Sequence, residues 1–121
     1  LALINQARTA EKLPALNLDS RLSAAAQAHS EDMACNNFRS HTGSDGSSIS
    51  ARIAAQGYSA SYVLETIFAS GTAQTAFDWW MNDKLHRDAL LDPNVTEAGI
   101  GHAYTASSLY GDYYTVDLAS P

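Results

Sequence analysis

Four side chains in this sequence have the chemistry of a binding or catalytic site: His41, Glu65, Asp83 and His86. His41 lies in "NNFRSHTGSDGSS" (36–48), a polar stretch rich in Gly, Asn, Asp and Ser. Those residues turn a chain, but a turn has no need of an imidazole. His86 lies in "NDKLHRDALLDP", again at a bend and away from any apolar stripe. Glu65 interrupts the apolar run "YVLETIF", where a carboxylate is costly to bury unless it is paired or holds a cation. Asp83 precedes His86 by three residues, a spacing that one helical turn closes. Two imidazoles and two carboxylates can form the shell of a divalent ion, zinc or else calcium or magnesium. They can equally form acid–base pairs. Spacing alone leaves both open.

The other reactive side chains have plainer readings. His29 shares the stripe Leu22–Ala26–His29–Met33 and reads as a hydrogen-bonded core imidazole. His102 alternates with Ile100 and Tyr104 along a strand and reads as structural or surface. Cys35 is the sole cysteine, so no intrachain disulfide forms. It is expected as a small buried or half-buried residue at a helix end.

The elements that must position these groups follow from periodicity. Residues 1–10 read as a helix with Leu1, Ile4 and Arg8 on one face, ended by "KLPALNLDS", where Pro14 disfavours helix at Leu13. A long helix is expected over 19–36, capped by Asp19 or Ser20, with Leu22, Ala26 and Met33 inward. A short amphipathic helix from about Ser48 to Gly57 places Ile49, Ile53 and Ala54 inward. "YVLETIF", "TEAGIGHAYT" and "YYTVDLA" read as strands. Between the first two lies a helix on which Ala73, Ala76, Phe77 and Trp80 share a face, followed by a further helical turn closed by Pro93. Adjacent helical positions point about 100° apart, so Trp80 is expected in the core and Trp79 partly exposed. Helices come first and strands late, which predicts α+β with an antiparallel sheet covered by helices.

Composition bounds the function. The 121 residues suit one domain, 1–121, and 45% apolar residues suffice for a core. A net charge of −6 argues against nucleic acid or an anionic membrane as partner. No apolar run reaches the roughly 18 residues of a transmembrane segment.

Taken in order, "LINQAR", "LPALNLDSRLSAAAQAHSEDMA", "NNFRSHTGSDGSS", "RIAAQGY", "WMNDKLHRDALLDPNVTEAGIG" and "YYTVDLA" resemble the SCP domain of the CAP superfamily, in its small, disulfide-poor bacterial branch. The resemblance covers nearly the whole chain. It implies a three-layer α-β-α sandwich around a small antiparallel sheet, and a cleft with two histidines and two acidic residues. The family's loop histidine falls on His41 and its second histidine on His86. Its strand acid falls on Glu65, within "LETI" where the family has "GENI", and its remaining acid on Asp83. It further implies a secreted or cell-wall-associated monomer with a divalent ion in the cleft and no organic cofactor. The partner is expected to be a small ligand, a lipid or an extracellular protein. Two alternatives stand beside this binding module. One is a hydrolase using His41 or Glu65 as base, with the ion or Ser40 or Thr42 activating attack. The other is an interaction domain with a vestigial cleft.

Overall fold

The computed structural model describes residues 1–121. In chain order the elements are α1 (Ala2–Ala10), β1 (Asn17–Leu18), α2 (Ser20–Asn36), α3 (Ile49–Ala55), β2 (Tyr62–Ala69), α4 (Ala73–Asn82), α5 (Lys84–Leu90), β3 (Glu97–Tyr104) and β4 (Asp112–Ser120). The strands form one sheet in the order β1-β3-β4-β2. Both long pairings, β2 with β4 and β3 with β4, are antiparallel.

Alternation along the strands sorts the core into three layers. Ala98 of β3 and Val116 and Leu118 of β4 face Ile4 of α1, Ala76 and Trp80 of α4, and Leu90 of α5. The residues between them face α2 and α3: Ala119 packs with Leu22, Ala25 and Ile53, and Tyr113 with Met33 and Ala34. The α-β-α sandwich that the family resemblance implies is therefore present.

α2 begins where expected, because the Asp19 carboxylate accepts from the Arg21 and Leu22 amides and caps the first turn. The helix lies directly on β3. A Cβ on Gly99 would come within 2.0 Å of the Leu22 backbone, and one on Gly101 within 2.4 Å of Ala26. Only residues without a side chain permit so close an approach. On the opposite face, Arg8 is buried and its guanidinium donates to four backbone carbonyls: Pro14, Leu90, Asp92 and Val95. This arginine belongs to the apolar face of α1 because its charge is spent on carbonyls left over at the end of α5 and the loop after it.

Four local expectations need correction. The sheet is not wholly antiparallel, since Asn17 and Leu18 pair in parallel with Glu97 and Ala98. The chain leaves α1 after Ala10, passes Pro14 and runs along β3 before α2 starts. Cys35 is exposed, not buried. The inner stripe of α2 ends at Met33 and Ala34, and the next position turns to solvent. Ala54 is exposed because α3 packs through Ile49 and Ile53 alone. Ala73 is exposed in the first turn of α4, where Ala76 and Trp80 carry the buried face.

Met33 is fully buried, and Trp80 is 4% exposed against 49% for Trp79. Met33→Ala is expected to cost about 2–5 kcal/mol, and Trp80→Ala about 3–5 kcal/mol. Urea unfolding of these variants beside Trp79→Ala checks both values. A Trp79 variant less stable than the Trp80 variant would contradict this packing.

Candidate functional site: two imidazole–carboxylate pairs at the sheet edge

β2 is an outer strand, and the candidate residues gather along it. Glu65 and Ile67 point to the α2 face, while Leu64 and Phe68 point to the α4 face. Leu64, where the resembled pattern has Gly, packs on the core cluster.

On the α2 face, the Glu65 carboxylate is the hub. His41 Nδ1 donates to Glu65 Oε1 at 2.8 Å, and Arg52 Nη2 donates to Oε2 at 2.7 Å. The neighbour across the ladder is Asp117 of β4. Asp117 is fully buried, and neither of its oxygens meets an N–H or hydroxyl donor. A carboxyl in that position must keep its proton, which it donates to Glu65. Burial, then the bond to Glu65 and the Glu65 charge, push Asp117 well above the usual carboxylate range. Burial also pushes Glu65 upward, but the hydrogen bonds from His41 and Asp117 and the charge of Arg52 outweigh it and hold Glu65 below its ordinary value. Two adjacent carboxyls thus divide into one ion and one neutral acid.

The loop that carries His41 is fixed by the same groups. His29, buried as the sequence predicts, donates from Nε2 to the Ser40 carbonyl at 2.7 Å. Burial lowers its pKa, outweighing the Glu65 charge 3.9 Å away, and keeps it neutral. Arg52 Nη1 donates to the carbonyls of His41 and Ser47. Asp32 accepts from the Ser44 amide and hydroxyl.

Around the edge, Asp83 caps α5, accepting from the His86 amide and from His86 Nδ1. The reach expected from the three-residue spacing is real, though it works through a cap between two helices rather than within one. The His86 hydrogen bond, with its amide, holds Asp83 below its ordinary value. His86 meets the Trp79 ring edge-to-face at 5.1 Å. With Arg39, Ile67, Phe68 and Trp79 it lines a cavity of about 300 Å³. Arg39 comes from the His41 loop, so the two bends meet over β2.

The four candidates therefore come as two pairs, His41–Glu65 and Asp83–His86, and no three His, Cys, Asp or Glu side chains group as an ion shell. A carboxylate accepts from Nδ1 in both pairs, which fixes the proton there and leaves Nε2 free on each ring. That donor set fits a divalent ion held by two imidazoles, with Glu65 and Asp83 orienting the rings. It fits poorly with Glu65 as a ligand, since both Glu65 oxygens are engaged. Of Trp79, Trp80, Tyr62 and Tyr104, only Trp79 lines the cleft. Trp80 is core, Tyr62 bonds Asp92, and Tyr104 lies exposed at the end of β3. His102 is a surface residue that bonds Asp112 and stacks on Tyr114. Arg52 and Asp117 were not singled out in the sequence. Asp117 carried the same signal as Glu65, a carboxylate inside an apolar strand, whereas Arg52 on an amphipathic helix carried none.

This layering is that of a CAP-type domain, and the chain belongs to that family: the model of the cysteine-rich secretory protein family matches residues 1–118. Among relatives, the uncharacterized protein YkwD of Bacillus subtilis (strain 168) is 33% identical over 107 residues. That match takes in 87% of this chain and 41% of YkwD, so the chain spans well under half of that relative. An extracellular protein containing a SCP domain from Bacillus anthracis str. Ames superposes with a TM-score of 0.87 at 27% identity, over 98% of this chain and 38% of that one. An outer surface protein from Borrelia burgdorferi shares the fold, with a TM-score of 0.89 at 20% identity over 98% of this chain and 87% of that one. No helix is long and apolar enough to cross a membrane.

Asp117 generates a pH prediction. Its folded pKa lies above the unfolded value of about 3.9. The folded chain then binds more protons than the unfolded chain, and this group's contribution to stability falls as pH rises. Asp117→Asn keeps a donor and removes the titration. Between about pH 4 and 7, wild-type stability should fall relative to Asp117→Asn, with a slope of at most about 1.4 kcal/mol per pH unit. Urea unfolding across that range checks it. Parallel curves for the two proteins would show that Asp117 ionises normally.

Proposed function

We propose that this chain is an extracellular binding domain whose cleft over β2 takes a divalent ion and a small ligand. The observation that carries the reading is the matched pair of Nδ1-tethered imidazoles, each with Nε2 unengaged. His41 and His86 would hold the ion through those nitrogens. Two imidazoles leave an ion largely hydrated, so binding is weak and open coordination positions remain for a ligand. Zinc is the expected ion, because imidazole suits zinc better than calcium or magnesium. A bound ion would supply Lewis acidity toward a ligand oxygen or a water molecule.

Binding is favoured over hydrolysis by the hydroxyls. The Ser40 hydroxyl accepts from the Thr42 amide, and no hydroxyl or thiol is hydrogen-bonded to His41 or His86. The nucleophile–base contact that covalent catalysis uses is therefore not formed. An extracellular setting is supported by the relatives described as extracellular and outer surface proteins.

Calorimetry with zinc tests the proposal. Wild type should bind, and His41→Ala and His86→Ala should each weaken binding by at least about tenfold, the scale of losing one ligand. Protons compete with the ion for imidazole, so affinity should drop as pH falls. Equal affinity in all three proteins would rule out this site.

A further inference from the structure

We infer that the cavity between Arg39, Trp79 and His86 is a subsite for a carboxylate carried on a ring with an apolar face. The inference rests on the cleft-binding reading and names the ligand for it.

The chain is acidic, with a net charge of −6, and most of its cations are committed. Arg8 is spent on carbonyls, Arg21 on Asp19, Arg52 on Glu65 and Lys84 on Asp88. Arg39 is different. Its guanidinium makes no ion pair and donates to no protein acceptor, and it lies 5.2 Å from the centre of the Tyr110 ring. That cation–π contact holds the guanidinium near the ring while leaving its N–H groups free. No acidic residue lines the cavity. A guanidinium placed there matches a singly charged carboxylate, which it can meet with two parallel hydrogen bonds.

The other walls specify the body that carries the charge. Trp79 is 49% exposed, and its indole is braced by Phe68 at 5.9 Å and by His86 at 5.1 Å. A half-exposed, braced indole offers a platform for a ring stacked face-on. His86 donates its Nδ1 proton to Asp83, so in the ion-free protein Nε2 presents to a ligand hydroxyl the same lone pair that an ion would otherwise take. About 300 Å³ is the lower end of the range for ligand sites and suits one ring with its substituents. Carboxylate, hydroxyl and an apolar ring face that can lie on an indole belong together in hydroxyaryl acids, through the flat ring, and in uronic-type sugars, through the C–H face of the pyranose chair. Both share the chemistry named here.

The test uses 4-hydroxyphenylacetate and glucuronate as probes, with 4-hydroxyphenylacetamide and glucose as uncharged counterparts. Amide proton–nitrogen shifts of the labelled protein are followed in EDTA, so that no ion contributes. At least one acid should bind in the millimolar range and shift Trp79 and His86, with its uncharged counterpart about tenfold weaker or more. Comparison of the two acids distinguishes aryl from sugar. Arg39→Gln should abolish the preference for the acid, Arg39→Lys should retain part of it, and Trp79→Ala should weaken acid and uncharged probe alike. Arg39 and Trp79 are surface residues, and an unchanged spectrum elsewhere verifies folding. Equal binding of acid and uncharged probe overturns the inference, as does an Arg39→Gln protein that keeps the preference. So does the absence of binding by either acid at about 20 mM, well above millimolar affinity. A zinc titration of the same wild-type protein, freed of EDTA, separates the two readings: zinc binding without acid binding removes this inference alone, whereas loss of both removes the cleft reading as well.

Discussion

One ionised carboxylate, Glu65, lies inside the sandwich, and the cleft is arranged around its charge. Taking a carboxylate out of water costs several kcal/mol unless a counterion and hydrogen bonds replace the solvent. Arg52 supplies the counterion, His41 and Asp117 the remaining hydrogen bonds. The same Arg52 guanidinium holds two carbonyls of the His41 loop, so neutralising the charge and shaping the loop are one event. His29 adds a third restraint and stays neutral, which avoids a second cation beside Arg52.

The two imidazoles reach equivalent states by different physical routes. His41 is oriented by a carboxylate within the protein, whose position the sheet register fixes. His86 is oriented by a carboxylate at the surface, whose position follows from capping a short helix. The first arrangement is stiff and little affected by salt, whereas the second is local and screened. A third pair, His102 with Asp112, has comparable geometry but lies away from the cleft, stacked on Tyr114. An imidazole–carboxylate contact is thus no mark of a site by itself. What distinguishes the cleft pairs is that their loops meet over an outer strand, beside a half-exposed indole and an unpaired guanidinium.

The legible part of this structure was the part written in periodicity and capping. The inner stripe of α2, the Asp19 cap, the three long strands and the contrast between Trp79 and Trp80 all depend on neighbouring residues. β1 did not, because a two-residue parallel pairing is created by β3, far along the chain. Glu65 was conspicuous as a charge in an apolar strand, whereas its pairing with His41 joins residues 24 positions apart and needs the loop folded back over β2. Arg52 and Asp117 were missed because their importance exists only once β2, β4 and α3 are assembled. The buried state of Arg8 was hidden in the same way. Its position on the apolar face was visible, but three of the four carbonyls it binds come from distant segments.

That β3 and β4 follow every helix of the domain in sequence has a consequence for synthesis. α2 rests on β3 and β4, and Arg8 bonds to residues 82 to 87 positions further on. Neither contact exists until Val95 and the two strands after it have left the ribosome. Until then the apolar faces of α1, α2 and α4 have nothing to cover them, and the outer strand β2 has no β4 to pair with. Contacts of such sequence separation slow folding, because loop closure must precede any gain from burial. The domain therefore assembles late and in one piece, and a chain interrupted before Asp112 exposes the apolar faces of its unfinished core to whatever chaperone receives it.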